Sequence, residues 1–405
     1  MSKNIYLERY ASPTIHHNEK INSAVELIVV LPAFAEKHLD RALASLHACS
    51  FPKEKACVLV VINEPENASP SIVATNDHAQ QAADAIDQKF QQLVVRLKLP
   101  PKKAGVGLAR KIGMDEAARF FEKHNKDGII VCYDADCLCA PNYLEAIHSY
   151  FQRKDRLVGH LHYEHTLNGP HHHEIVQYEL HLRYYVNALR VIAYPHAIHT
   201  LGSCITVTSK AYQKQGGMNT RKAGEDFYFL HKMAPLGGMG EINGTTIYPS
   251  DRTSDRVPFG TGHAIDKILK TAQYETYNPK VYECLSPINE DLQSWFTAPA
   301  SQLDKVSVCL DDFLQASNFQ EELDKIINQS GSFENFRQRY YAWWDGFKVL
   351  KYIHFARDHH YPNVALQEAL EWLGKQTKLN LHKQPAEQQL ATLRAYDRTA
   401  NYQIR

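Results

Sequence analysis

The feature that most constrains this chain is the stretch Gly128 to Pro141, GIIVCYDADCLCAP. Its apolar run, Ile129 to Tyr133, is long enough for a buried strand and too short for an ordinary helix. Two carboxylates, Asp134 and Asp136, stand at the carboxyl end of that run. Open α/β sheets bind their ligands outside this edge. If the chain stays extended, residues i and i+2 project to one side, so both carboxylates can face one cation. A hard divalent metal takes one or two carboxylates and completes its shell with water and phosphate oxygens. The stretch therefore predicts a strand ending in a metal–diphosphate site.

The flanking sequence repeats the pattern of apolar run and amphipathic helix. Val25 to Leu31 reads as a strand, followed by a helix on Leu39, Ala42, Leu43 and Leu46. Cys57 to Ile62 and Gln92 to Leu99 read as further strands, with helix-like residues 71–90 between them. A glycine-containing basic turn, Lys102 to Arg110, opens a helix with the stripe Met114, Ala117, Ala118 and Phe121. Such a turn at a helix amino terminus can receive an anion. After the D-x-D, helix-like residues 142–151, an extended 157–163, helix-like 174–193 and a strand at 201–208 follow. This alternation predicts a mostly parallel central sheet.

From about residue 286 helical patterning takes over. Phe336, Tyr340, Trp343, Phe347 and Leu350 form one stripe, and Leu366, Ala369, Leu370 and Leu373 another, before a polar tail beyond about residue 376. The expected division is an amino-terminal surface extension (1–24), an α/β domain (25–285) and a carboxyl-terminal helical domain (286–405). At 405 residues, two domains are the natural number.

Composition excludes several classes. The 45 basic and 45 acidic residues balance, which argues against a dedicated nucleic-acid surface. No apolar run approaches the ~20 residues of a membrane-spanning helix, and MSKNIYLERYASP lacks the apolar segment of a signal peptide. The expected location is cytoplasmic, including a peripheral position at the inner face of the membrane. The eight cysteines contain no C-x-x-C pair and read as small buried thiols. His160, His162, His165 and His171 to His173 lack the spacing and partners of a zinc site, so they read as surface or acceptor-side histidines.

The motif order P-A-F-A-E (Pro32 to Glu36), K-A-G-V-G-L-A-R (Lys103 to Arg110), D-A-D (Asp134 to Asp136), L-G-S (Leu201 to Ser203), G-G-M and G-E-D (Gly224 to Asp226) resembles a family 2 glycosyltransferase of the GT-A fold. The likeness runs over residues 25–262. It implies a GT-A domain with a mostly parallel central sheet, beside the helical domain, that binds a nucleotide-diphosphate sugar donor and a hydroxyl-bearing acceptor. By position it implies that Pro32, Ala33 and Glu36 border the nucleoside and that Asn63 or Glu64 faces the base. Lys103, Gly105 and Arg110 would lie near the base and diphosphate, with Ala135 on the donor side and Gly202 and Ser203 on the acceptor side. Asp134 and Asp136 would hold Mn²⁺ or Mg²⁺, joined by His263, while Arg252 and Arg256 would close on the diphosphate. Asp226 would be the general base and Glu225 its support.

Ala35 stands where the family has asparagine, and Asn63 to Asn67 (N-E-P-E-N) replaces an acidic motif. No Q-x-x-R-W follows the E-D pair, which points away from a processive polymerase. The resulting expectation is metal-dependent, inverting, non-processive transfer of one sugar, as in surface polysaccharide or glycoconjugate synthesis, with homo-oligomerisation through the helical domain as a further expectation. The alternatives are a non-catalytic nucleotide-sugar-binding protein on the same scaffold and a sugar nucleotidyltransferase. The latter favours a glycine-rich first loop, which PAFAEKHLD is not.

Overall fold

Four parallel strands, one of them at the edge, assemble one half of the sheet. β1 (Leu27–Ala33) is buried along its whole length, as is β2 (Ala56–Pro65) up to its last residue. Such uninterrupted burial is the mark of a parallel strand covered on both faces. β3 (Gln91–Leu99) pairs with β2, and β4 (Ile129–Cys132) pairs with β1, both in parallel. The sheet is completed by β5 (Leu138–Cys139), β6 (Val158–Tyr163), β7 (Ile205–Thr208) and β8 (Met239–Tyr248), in the order β3-β2-β1-β4-β7-β6-β8-β5. β6–β8 is also parallel, whereas β4–β7, β6–β7 and β5–β8 are antiparallel. The structure, a computed structural model, describes residues 4–251, 265, 268, 269 and 274–399. It is a mixed α/β architecture with an eight-stranded, mostly parallel sheet and carboxyl-terminal helices.

Two compact units divide the chain: residues 1–170, 200–263 and 396–405 form the first, and 171–199 with 264–395 the second. The segment 171–199, expected within the α/β domain, thus groups with the helices, and the division falls at 264 rather than 286.

Within the first unit, the helix Val106–Lys123 lies against β1 and β2. A Cβ on Gly113 would come within 2.4 Å of Val30 Cγ1, so this glycine sets how closely helix and sheet approach. The predicted stripe Met114, Ala117, Ala118 and Phe121 is buried, but so are Arg110, Lys111, Asp115 and Glu116. The last two hold the amino-terminal segment: residues 4–24, expected as an extension lying on the surface, are tied down by polar bonds. Asp115 accepts hydrogen bonds from Tyr6 Oη (2.6 Å), Tyr212 Oη (2.7 Å), Ser12 N (2.7 Å) and Ser12 Oγ (2.8 Å). Glu116 accepts from Thr14 Oγ1, Ile15 N, Asn18 N and Asn18 Nδ2. A buried carboxylate requires such partners. The segment lacks apolar periodicity because polar bonds hold it in place.

The second unit is helical around an aromatic core. Trp295, Phe319, Phe336, Tyr340 and Trp344 are buried; Trp295 and Phe319 ring centroids lie 5.6 Å apart, and Tyr340 Oη donates to the Ile288 carbonyl at 3.0 Å. The stripe expected as one helix is two, Phe333–Trp343 and Gly346–His359. Asp345 caps the second by accepting from Lys348 N at 2.7 Å, and the break buries Trp344 rather than Trp343. The expected polar tail contains the helix Ala386–Thr399, which buries Leu390 and Leu393. In this unit Glu179, fully buried, accepts from both Arg183 and Arg394. Among the described residues no helix is long and apolar enough to cross a membrane.

Candidate functional site

β4 delivers the D-x-D to the carboxyl edge of the sheet. Tyr133 N continues the β1 ladder by donating to the Val30 carbonyl at 3.0 Å. The chain then turns: Cys137 N donates to the Asp134 carbonyl at 3.0 Å, an i to i+3 bond. Asp134 and Asp136 are therefore the first and third residues of a turn, not neighbours on one side of an extended strand. Aspartate is favoured at the first turn position, which the strand argument overlooked. Ala135, between them, is buried, and both carboxylate residues are half-buried.

Arg110 organises what lies beside this turn. Its guanidinium is fully buried and donates to Asp134 Oδ1 at 2.5 Å and to Glu225 Oε1. Burial disfavours its charge, but Asp134 and Glu225 outweigh that and hold its pKa above the ordinary value. The sequence reading placed Arg110 near base and diphosphate; its hydrogen bonds run to the two acidic motifs. Gly202 lies against the same guanidinium: a Cβ there would sit 2.8 Å from Nη2 and 2.9 Å from Nη1. Ser203, also buried, hydrogen-bonds the Cys137 thiol at the end of the D-x-D turn.

Glu225 and Asp226 open the helix Glu225–Met233. Its cap, Gly224, has φ 70°, a left-handed conformation that glycine adopts without steric cost. Asp226 Oδ1 accepts from Phe227 N at 2.7 Å. Burial, and then the adjacent Glu225 charge, push the Asp226 pKa up to about 7, with Asp134 adding to the rise and Arg110 opposing it. Asp226 is crowded by protein yet keeps a solvent-reachable face, so its carboxyl can exchange protons near neutrality.

The other predicted residues fall in two places along the edge. Pro32 and Ala33 end β1, opposite Val61 and Ile62 of β2. Ala35 takes φ 46°, and its N donates to Asn76 Oδ1 at 2.9 Å. Glu36 is buried and accepts from His38 N. Asn63 and Glu64 are both buried, but Glu64 is bound by Arg96 and by Asn76 Nδ2 at 3.2 Å. Burial raises the Glu64 pKa less than Arg96 and Asn76 lower it, so it stays ionised. Arg96 and Asn76 were not anticipated; the charge interrupting QQLVVRLKL was the available signal. Lys103 is exposed in the basic turn, and Gly105 caps the helix with extended backbone. A Cβ on Gly107 would meet the Arg221 carbonyl oxygen at 2.1 Å, and Lys222 Nζ donates to the Pro101 carbonyl, so residues 221–222 lie over this turn. Arg252, Arg256 and His263 lie outside the described residues.

Among the described residues no three or more His, Cys, Asp or Glu side chains converge as a metal cluster. Carboxylate oxygens are the ligand type that a hard divalent cation takes, and of the two D-x-D carboxylates Asp134 is already held by Arg110. His160, His162 and His165 are buried rather than surface residues, and His162 Nε2 pairs with Glu164 at 3.0 Å.

No family model matches the chain, and no curated protein matches it. Solved structures similar to it include S. aureus TarS 1–349 in complex with UDP, at 13% identity and TM-score 0.41, covering 79% of this chain and 91% of that one. The same protein in complex with UDP-GlcNAc gives 13% identity and TM-score 0.40, covering 93% of each chain. The mannosyltransferase PcManGT from Pyrobaculum calidifontis in complex with GDP-Man and Mn²⁺ gives 13% identity and TM-score 0.37, covering 97% of this chain and 91% of that one. Likeness at this level identifies neither a family nor a ligand.

Proposed function

We propose that the chain is a GT-A glycosyltransferase that moves one sugar from a nucleotide-diphosphate donor to an acceptor hydroxyl, with inversion and without processive polymerisation. The observation that carries the reading is the Arg110 bridge, by which one buried guanidinium gathers Asp134 and Glu225, and with it Asp226, at the carboxyl edge of β4. These groups come from chain segments 24 and 115 residues apart, and each belongs to a motif of the resemblance.

Asp226 serves as general base. A carboxylate that titrates near neutrality can take the proton of an attacking hydroxyl, and Glu225 and Arg110 orient it by fixing the start of its helix. Asp134 and Asp136 hold the divalent metal, Mn²⁺ or Mg²⁺, with the donor diphosphate. When bound, that ion supplies positive charge to the departing diphosphate. Pro32, Ala33, Glu36 and Asn63 line the nucleoside side. Glu64, bound to Arg96 and Asn76, supports that wall instead of offering a free carboxylate to the base. Lys103 and Gly105 flank the diphosphate, Gly202 and Ser203 the acceptor, and Arg252, Arg256 and His263 belong to the segment proposed to close over the donor.

The test is a thermal-shift panel of UDP-, GDP-, CDP- and dTDP-sugars with and without Mn²⁺, followed by a transfer assay with the sugar that binds. A ligand at ~100 times its Kd stabilises by about 2.7 kcal/mol. Metal-dependent stabilisation by one nucleotide class, with transfer, is the expected result. No stabilisation by any member of the panel would overturn the reading.

A further inference from the structure

Beyond the acidic cluster, the first unit contains two thiols in contact. Cys49 follows the helix Leu39–His47, and Cys139 ends β5, three residues after Asp136. Their Sγ atoms are 3.6 Å apart. A disulfide has S–S ~2.05 Å, so closure needs an approach of ~1.5 Å, within reach of side-chain rotation and small backbone adjustment. The backbones on both sides are already joined. Ser45 Oγ accepts from Cys139 N at 2.8 Å and donates to the Cys139 carbonyl at 3.2 Å, and Ser50 N donates to the Pro141 carbonyl at 2.7 Å.

The two thiols are not equivalent. Cys49 is completely buried, whereas Cys139 is half-buried and can be reached from solvent. Hydrogen bonding by Cys49, helped by Ser45 and Tyr133, lowers the Cys139 thiol below its ordinary pKa against the opposing effect of burial. The Cys49 thiol is raised, by its bond to Cys139 and by burial, and keeps its proton. A half-buried thiol with a lowered pKa, in contact with a second, fully buried thiol, is the arrangement of a redox-responsive cysteine and its resolving partner.

We propose that Cys139 and Cys49 form an oxidation site at which hydrogen peroxide drives a reversible disulfide, with Cys139 as attacking thiolate and Cys49 as resolving thiol. The Cys139 sulfur attacks one peroxide oxygen, the O–O bond breaks, and the displaced hydroxide takes a proton and leaves as water. Cys139 is then a sulfenic acid. The Cys49 sulfur, giving up its proton, attacks the Cys139 sulfur; the S–O bond breaks and a second water leaves. In total two thiols and one peroxide give one disulfide and two waters, with two electrons passing from sulfur to oxygen. Excess dithiol reverses the bond by exchange. The product ties the exit of the D-x-D turn covalently to the segment that follows the helix Leu39–His47.

The test uses the full chain treated with a modest molar excess of hydrogen peroxide, quenched with catalase, alkylated in urea and mapped by mass spectrometry. The expected product is a cross-linked peptide pair containing Cys49 and Cys139, two hydrogens lighter than the separate thiol peptides and released by dithiothreitol. Cys49→Ser should leave Cys139 to proceed to an acid that dithiothreitol does not restore. Cys139→Ser should leave Cys49 alkylated as a free thiol. Cys284, whose thiol is lowered to about 6 chiefly by Cys309, reports that the oxidant reached reactive thiols. Wild-type protein in which Cys284 is oxidised while Cys139 and Cys49 are both recovered alkylated would overturn the proposal. So would Cys139 oxidised to an acid with Cys49 still free. The wild-type map decides alone if either serine variant fails to fold.

Discussion

Replacing Arg110 with methionine separates the energetics of the acidic cluster from its chemistry. The guanidinium is fully buried, and Glu225, 5% exposed at its side chain, depends on it. Removing one partner of a buried pair leaves an uncompensated charge and costs ~3–5 kcal/mol. That is a large share of the ~5–15 kcal/mol that holds a protein folded. The loss should depend on pH. Arg110 opposes the rise of the Asp226 pKa, so without it the folded-state value climbs further above the unfolded value near ~4. The unfolded chain then releases protons first as pH rises, so stability falls with increasing pH through the folded value. Arg110→Met should be closest to wild type near pH 5 and weakest near pH 8. Urea unfolding at both pH values, followed by far-UV circular dichroism, measures the difference. Adding Glu225→Gln should recover part of the loss at pH 8 by removing the stranded charge. A single variant that loses less than ~1 kcal/mol at pH 8, with the same pH dependence as wild type, would refute the argument.

Asp226→Asn should slow transfer by ~10²–10⁴ while leaving nucleotide affinity nearly unchanged, measured side by side by turnover and thermal shift. Because the folded pKa of Asp226 is raised to about 7, its stabilising contribution is complete below the unfolded value and is lost as pH rises through 7. The asparagine variant should therefore gain stability relative to wild type as pH rises from ~4 to 7, read from urea midpoints across that range. Asp136→Ala should abolish Mn²⁺-dependent stabilisation by nucleotide without lowering the ligand-free melting temperature appreciably. Tyr6→Phe removes one of the hydroxyls that donate to Asp115 and should cost ~1.5–3 kcal/mol, seen as a lower melting temperature with nucleotide binding retained.

The centre of the sheet was legible because β1, β2 and β4 are continuous apolar runs and the helix after the basic turn repeats its stripe. β8 escaped notice because MGEINGTTIY carries two glycines and two polar residues in its first six positions, and β5 because it has only two residues. The helix Ala386–Thr399 buries Leu390 and Leu393 among polar neighbours, too narrow a stripe to stand out. At the site, the D-x-D and E-D motifs were visible as residues, but not the bond that joins them. Arg110 meets Asp134 and Glu225 across 24 and 115 residues, and no local period records such a meeting. Glu64 read as a base-facing acid because sequence does not show that Asn76 and Arg96 reach its carboxylate.

The polar anchoring of residues 6–18 has a consequence for how the chain is made. Its acceptors, Asp115 and Glu116, lie about a hundred residues downstream: Tyr6 and Asp115 are 109 positions apart, and Asn18 and Glu116 are 98. At ~5–20 residues per second, a ribosome takes roughly 5–20 s to add that intervening stretch. Throughout that time the leading segment has no docking surface, and the helix Val106–Lys123 emerges with two acids that need it. Residues 6–18 thus wait undocked until that helix is made, and whatever captures them meanwhile withholds the bonds on which Asp115 and Glu116 depend.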